Sequence, residues 1–306
     1  MEHKVIHDIK DDFSPIPVLG SLARQCVMPI FGRKNGEYIP LGTGFIISSG
    51  GLMMSARHVI EQAQSFKERR IGDNGQYYDH FELYAVYQTD EKNTDDPTTY
   101  IGGLLPIDKA WFNESFDICA FAVGILKNNV PVIFPALPLS PSLPKVGVNV
   151  LGMGYHSSTA QITSNTPERL NITYKQESGL TRGRIVEVFP ISRDRGMLNF
   201  PCFQTDARFE GGMSGGPIIN EAGHVVGVIC SSLPPTEEDP TYISYGSLIW
   251  PVLLTEVQGL DDNGQLETVT LYDLIVRGHI ITDTSINDIM IGADASGRKQ
   301  ISIRRS

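Results

Sequence analysis

Residues 211–217 read Gly-Gly-Met-Ser-Gly-Gly-Pro, and only Met213 and Pro217 in that block are neither glycine nor serine. Glycines crowd a segment where the backbone must come close to something, and here they leave the hydroxyl of Ser214 clear of neighbouring side chains. Ser214 is therefore a candidate nucleophile. A serine hydroxyl is weak on its own, so the reading requires a histidine base, an acid that orients it, and N–H groups facing a developing oxyanion. The chain supplies these in the order His58, Asp117, Ser214. His58 lies in Ser55-Ala56-Arg57-His58-Val59-Ile60, and Asp117 opens the apolar run Phe116-Asp117-Ile118-Cys119-Ala120-Phe121-Ala122-Val123.

Together these neighbourhoods resemble the chymotrypsin-like (trypsin-like) serine proteases, nearest to the bacterial Deg/HtrA-type protease domain. Gly42-Thr43-Gly44-Phe45-Ile46-Ile47-Ser48 is similar to the strand before the histidine turn in that family, and Thr205-Asp206-Ala207 to its approach to the serine. The resemblance spans residues 25–258 and implies an all-β fold of two packed six-stranded antiparallel β-barrels with a C-terminal helix and a small appendage. Residues 260–306 are too few for the peptide-binding PDZ module of the multidomain Deg proteases.

At 306 residues and 41% hydrophobic content the chain can bury an ordinary globular core. A formal charge of −10 disfavours nucleic acid or an anionic membrane as partner. The N-terminus has no continuous apolar h-region and no run approaches membrane-spanning length, so a cytoplasmic location is expected. Cys26, Cys119, Cys202 and Cys230 are expected to be free thiols. Secreted relatives carry a cysteine directly after the histidine, where this chain has Val59. No metal and no cofactor is called for, since His3, His7, His80, His156, His224 and His279 show no ligand spacing with the cysteines or with each other.

Along the chain, residues 1–24 read as an N-terminal arm and residues 25–130 as the first barrel, carrying His58 and Asp117. Strands are predicted at 27–31 and 38–48 around the hairpin signal Asn35-Gly36, then at 81–87, 100–105 and 116–123, with a short helix over 59–69. Asn74-Gly75 marks a further turn, and the acidic loop of residues 90–97 reads as solvated surface. Pro131, Pro135, Pro138, Pro141 and Pro144 make residues 131–145 a linker between halves. Residues 146–259 form the second barrel, with strands at 146–154, 183–189, 224–230 and 242–249 and a helix over 252–258. Residues 260–306 are an appendage with a helix near 271–277, placed either to dock a partner or to cap a barrel edge.

The resemblance implies acyl transfer with His58 as base, Asp117 orienting it and Ser214 as nucleophile, the oxyanion hole being formed by the N–H groups of Gly212 and Ser214. It places Arg208, Phe209, Cys230, Ser231 and Ser232 at the substrate. Arg208 stands where trypsin-type enzymes carry an aspartate, so their preference for basic residues does not transfer. An Arg208 pointing into the pocket would pair with an acidic residue. Pointing to solvent, it would leave a small, partly apolar pocket, and desolvation favours the second arrangement. Met213 replaces the aspartate that pairs with a newly cut N-terminus in secreted relatives, so control by loop ordering or by a regulatory protein partner is expected instead. The partners read from sequence are thus a protein or peptide substrate and that regulator, with no nucleic acid and no membrane. Two other readings compete. Gly212-Met213-Ser214-Gly215-Gly216 also satisfies the nucleophile elbow of α/β-hydrolase esterases, with His279 and Asp239 or Asp273 as partners, though an elbow needs a helix directly after the serine. A catalytically silent pseudoprotease that binds peptides by β-augmentation would keep the fold without the chemistry.

Overall fold

A computed structural model describes residues 14–15, 25–71, 76–92, 100–124, 126–127, 130–166, 169–233, 242–260 and 265–304. The N-terminal arm apart from Ser14–Pro15, the Asn74-Gly75 turn, residues 93–97 of the acidic loop and Asp239 lie outside the described residues.

The first half is one seven-stranded antiparallel sheet. Its strands are β1 (Val27–Lys34), β2 (Glu37–Ile46), β3 (Leu52–Ser55), β4 (Glu82–Lys92), β5 (Tyr100–Pro106), β6 (Ala110–Phe112) and β7 (Cys119–Ala122). Helix α1 (Arg57–Gln64) follows β3 directly. The strand order is β5-β4-β1-β2-β3-β7-β6. Asn35 and Gly36 turn β1 into β2 with φ of 52° and 84°, the doubly positive backbone of a type I′ hairpin, and Lys34 pairs with Glu37 across it. Ile30, Met53 and Phe121 meet over Gly44 on one face of this sheet, each with no solvent exposure.

This sheet curls without closing, whereas a closed barrel was expected. β5 and β6 lie at opposite edges although only Ile107–Lys109 separate them in the chain. Four peptide steps reach at most about 14 Å, so the edges are near each other. No described backbone bond joins them; Ile107 N–H donates instead to Leu83 O at 2.9 Å.

The second half does close. Its strands are β8 (Asn149–Thr166), β9 (Arg169–Phe189), β10 (Cys202–Thr205), β11 (Pro217–Asn220), β12 (Val225–Leu233) and β13 (Ile243–Leu248). They run β9-β8-β11-β12-β13-β10, and pairing of β9 with β10 completes a six-stranded barrel. Ser14–Pro15 adds to β9 from outside. β8 and β9, of 18 and 21 residues, pair with each other over nearly their whole length and so extend well beyond the short runs predicted there. The barrel interior holds Val150, Ile185, Phe203, Phe209, Met213, Ile218, Ile229 and Leu248.

The proline-rich segment is built into both halves. Phe134 N–H donates to Ser49 O and Leu137 N–H to Ile46 O, on the first sheet. Beyond them Leu139, fully buried, bridges Val225 on one side and Thr282 on the other. Val225 N–H donates to Pro138 O and Ser140 N–H to Val225 O, while Leu139 N–H donates to Ile281 O and Asp283 N–H to Leu139 O. The prolines do not interrupt this, because the N–H donors of the segment are Phe134, Leu137, Leu139 and Ser140, and Pro138 takes part only through its carbonyl.

After β13 the predicted helix over 252–258 is a 3-10 turn, Trp250–Leu254, followed by β14 (Glu256–Leu260) paired with β15 (Leu266–Thr270). Pro251 fits the start of the turn, but Val257 and Val269 face each other across the hairpin and are buried, which extended backbone achieves and a helix would not. α2 (Leu271–Val276) lies where a helix was expected, with a capping box between Thr270 and Asp273. A final hairpin joins β16 (Ile289–Ala293) and β17 (Lys299–Ile303). Leu271, Ile280 and Ile289 are buried in the main core, so the appendage is packed against the body. No described helix is long and apolar enough to cross a membrane.

Candidate active site

α1 begins two residues after β3, and His58 occupies its first turn. The Asp117 carboxylate, 7% exposed, sits against that turn. Its Oδ1 accepts the backbone N–H of His58 at 3.1 Å, and its Oδ2 lies 2.8 Å from His58 Nδ1. One carboxylate therefore satisfies an orphan donor of the helix start and fixes the imidazole as well. Because a carboxylate only accepts, Nδ1 carries the proton and Nε2 presents a lone pair. The turn carrying Asp117 is held by Ser115 N–H donating to Asn113 Oδ1 at 2.9 Å and Phe116 N–H to Asn113 O at 3.0 Å. Arg57 donates to Glu114 O on the same turn. After desolvation, the nearby Asp117 charge is the next cause that pushes the Cys119 and Cys230 thiols up.

Ser214 lies between β10 and β11, and the glycines around it are explained by what they touch. Gly212 has φ of 96° and Gly215 of 85°, left-handed backbone that side chains resist. A Cβ on Gly215 would stand 2.1 Å from Thr43 O, 2.2 Å from Ser55 Oγ and 2.9 Å from Ala56 N. The residue after the serine is thus in contact with the segment leading into His58. Met213 N–H donates to Glu210 O at 3.1 Å, Gly216 N–H to Met213 O at 2.9 Å, Gly215 N–H to Ile229 O at 2.7 Å, and Thr43 N–H to Ser214 O at 2.8 Å. Among the described residues the N–H groups of Gly211, Gly212 and Ser214 have no acceptor, and Gly212 and Ser214 are the two that lie on either side of Met213, next to the serine hydroxyl. Ser214 Oγ likewise makes no hydrogen bond, to His58 Nε2 or to any other described atom.

The remaining predicted positions surround this turn. Phe209 is 3% exposed and its ring occupies the space over Gly152, within the barrel interior. Arg208 Nε donates to Glu210 Oε1, its guanidinium lies 5.5 Å from the centre of the Tyr242 ring, and its side chain is 43% exposed. The guanidinium is thus paired, and the Glu210 bond is the main cause that raises its pKa. Cys230 is buried and its Sγ contacts Tyr245 O at 3.3 Å. Ser231 and Ser232, half-buried, pair with Tyr245 and Ser244 at the end of β12. Met213, at the position of the activating aspartate of secreted relatives, is fully buried.

The serine is followed by Gly215, Gly216 and strand β11, with no helix, so the esterase elbow is excluded. Asp273, one of its acid candidates, caps α2 through Thr270. Thr43 and Tyr155 are contacts that sequence reasoning did not single out. Thr43 Oγ1 donates to Gly212 O at 3.0 Å and accepts Tyr155 N–H at 2.9 Å. The only sequence signal was a threonine flanked by glycines.

A closed barrel beside a curled sheet, with histidine, aspartate and a glycine-boxed serine at their junction, is the chymotrypsin-like arrangement. A family model for the trypsin-like peptidase domain matches residues 42–228, more than half of the chain, and the protein belongs to that family. Curated proteins gave no sequence match. Among solved structures, the crystal structure of Deg5 is similar at 16% identity and a TM-score of 0.42, over 72% of this chain and 84% of that one.

Proposed function

We propose that the protein is a serine endopeptidase that cleaves peptide bonds through an acyl-enzyme, with Ser214 as nucleophile, His58 as base and Asp117 as the group orienting it. The observation that carries this is the combination of an Asp117 carboxylate bonded to His58 Nδ1 at 2.8 Å with two unused amides, Gly212 and Ser214, beside the serine. His58 Nε2 takes the proton from Ser214 Oγ as that oxygen attacks the substrate carbonyl. The carbonyl oxygen becomes an oxyanion held by the two amides. His58 then gives the proton to the leaving amine, and water repeats the sequence to release the acid. The Ser214 to His58 bond forms when substrate seats, since such bonds tighten in the complex.

Substrate enters along the end of β12, where Ser231 and Ser232 offer backbone and hydroxyl contacts. Arg208, occupied by Glu210 and Tyr242, does not call for an acidic residue there, which supports a small, partly apolar pocket. Control comes from ordering of the oxyanion turn or from a protein partner, because buried Met213 cannot pair with a new N-terminus. Four free, buried thiols fit a reducing, cytoplasmic setting. The test is labelling of the purified protein by a fluorophosphonate probe from pH 5 to 9 beside Ser214→Ala and His58→Ala. Labelling of wild type alone is the expected result; no labelling at any pH would favour the silent peptide-binding module.

A further inference from the structure

The oxyanion turn is held unevenly, and one side chain from the opposite half of the molecule accounts for much of the holding. Taking the peptide units in turn, the unit joining Ser214 to Gly215 is fixed at both ends, by Thr43 N–H and by Ile229 O. The unit joining Gly212 to Met213 is also fixed at both ends, by Thr43 Oγ1 and by Glu210 O. The unit joining Gly211 to Gly212, which carries the Gly212 amide, has no hydrogen-bond partner at either end among the described residues. Its direction is therefore set by the dihedrals of Gly212, measured from the unit that Thr43 holds.

We propose that the Thr43 hydroxyl is a positioning residue for the oxyanion hole: by holding Gly212 O it sets the frame from which the Gly212 N–H points at the reacting carbonyl. The proposal rests on the protease reading above. Thr43 is fully buried, and each of its polar groups has a partner. Its N–H meets Ser214 O, its O accepts Ser55 Oγ at 2.6 Å, and its hydroxyl both donates to Gly212 O and accepts Tyr155 N–H. Tyr155 is on β8 of the closed barrel and Thr43 on β2 of the curled sheet, so the two halves must be seated together for the turn to be held. The turn also lies against β8, where a Cβ on Gly212 would be 2.8 Å from Tyr155 O. Packing alone does not require the hydroxyl, because valine has nearly the same shape. Geometry of the amide does, since a glycine with two soft dihedrals loses its anchor when the hydroxyl is removed.

The experiment compares wild type, Thr43→Val and Thr43→Ser by the second-order rate of fluorophosphonate capture at Ser214, over pH and well below each melting midpoint. Thr43→Val should be about tenfold to a hundredfold slower with an unshifted pH profile, a part of the effect of losing one oxyanion donor outright. Thr43→Ser, which keeps the hydroxyl, should stay within about threefold of wild type. If Thr43→Val does not fold, Thr43→Cys, whose thiol is a weaker donor, is read the same way. A valine rate within twofold of wild type, a serine variant as slow as the valine one, or a slowing explained by a shifted pH profile would each overturn the proposal. Failure of wild type to label would instead remove the protease reading, and this inference with it.

Discussion

Gly215 and Ser55 are in such close contact that there is no room for a methyl group between them: a Cβ on the glycine would fall 2.2 Å from Ser55 Oγ, with Thr43 O nearer still at 2.1 Å. The φ of 85° adds a second obstacle. Gly215→Ala should therefore push the serine turn away from the segment that carries His58, slowing fluorophosphonate labelling by about a hundredfold or more, since small misplacements have large effects. Shortening Ser55 should not rescue it, because Thr43 O is backbone. Near-normal labelling in Gly215→Ala would contradict the proposed seating.

Asp117→Asn keeps the shape of the carboxylate but offers an NH₂ group that turns His58 to the wrong tautomer. Turnover or labelling rate should drop by a factor on the order of 10⁴, with the fold intact. Circular dichroism and the labelling rate, taken on the same sample, distinguish this from unfolding.

The thiols should be silent in the folded state. Burial pushes Cys26 up to about 12 and Cys202 to about 11, and it raises Cys119 and Cys230 as well. Iodoacetamide at pH 8 should leave all four unmodified in the native protein and alkylate all four in guanidinium, as mass spectrometry would read. Since the folded state raises these values, their contribution to stability is complete below the ordinary thiol range, near about 8.5, and fades as pH climbs toward the folded values.

Asp273 shows the opposite sign. The Thr270 hydroxyl and N–H hold its carboxyl below the usual range, so its contribution is present near neutrality and lost as pH falls through the lowered value. Asp273→Asn should cost about 1 kcal/mol at pH 7 and almost nothing in strong acid, measured by urea midpoints at both pH values.

Ile280, 1% exposed, carries the appendage into the main core. Ile280→Ala should cost about 2–4 kcal/mol while leaving a single unfolding transition, because these residues pack as part of the body. Two separate transitions would show an independently stable tail.

What could be read from the sequence was what local chemistry determines. Asn35-Gly36 demands positive φ at both positions and so declares its hairpin, and the neighbourhoods of His58, Asp117 and Ser214 each carry their own residues. What could not be read depends on distant partners. Nothing near Ala110 says that β6 will pair with β7 at the other end of the strand order from β5, with no ladder between β5 and β6. Pro251 looks like a helix start, and only the hairpin that buries Val257 against Val269 reveals a short turn followed by a strand. The polar composition of residues 157–177 concealed the length of β8 and β9. For Arg208 the sequence offers a pocket or a solvent orientation, and the pairing with Glu210 two residues on, together with the Tyr242 ring, is what decides it. Thr43 looked like a strand residue because the carbonyl it holds is 169 positions away.

The way Leu139 is held has a consequence for the order of synthesis. The strip of chain between the halves is bonded on its outer side by Ile281 and Asp283, and the Ser140 hydroxyl meets that of Ser285, 145 positions later. At roughly 5–20 residues per second, a ribosome needs on the order of ten seconds to travel that distance. Throughout that interval His58 and Asp117 have already been made, yet the seam beside β12 lacks its outer layer. The outer bonds of Leu139 can therefore form only after residues 281–283 have been made, so this seam is among the last parts of the described fold to close.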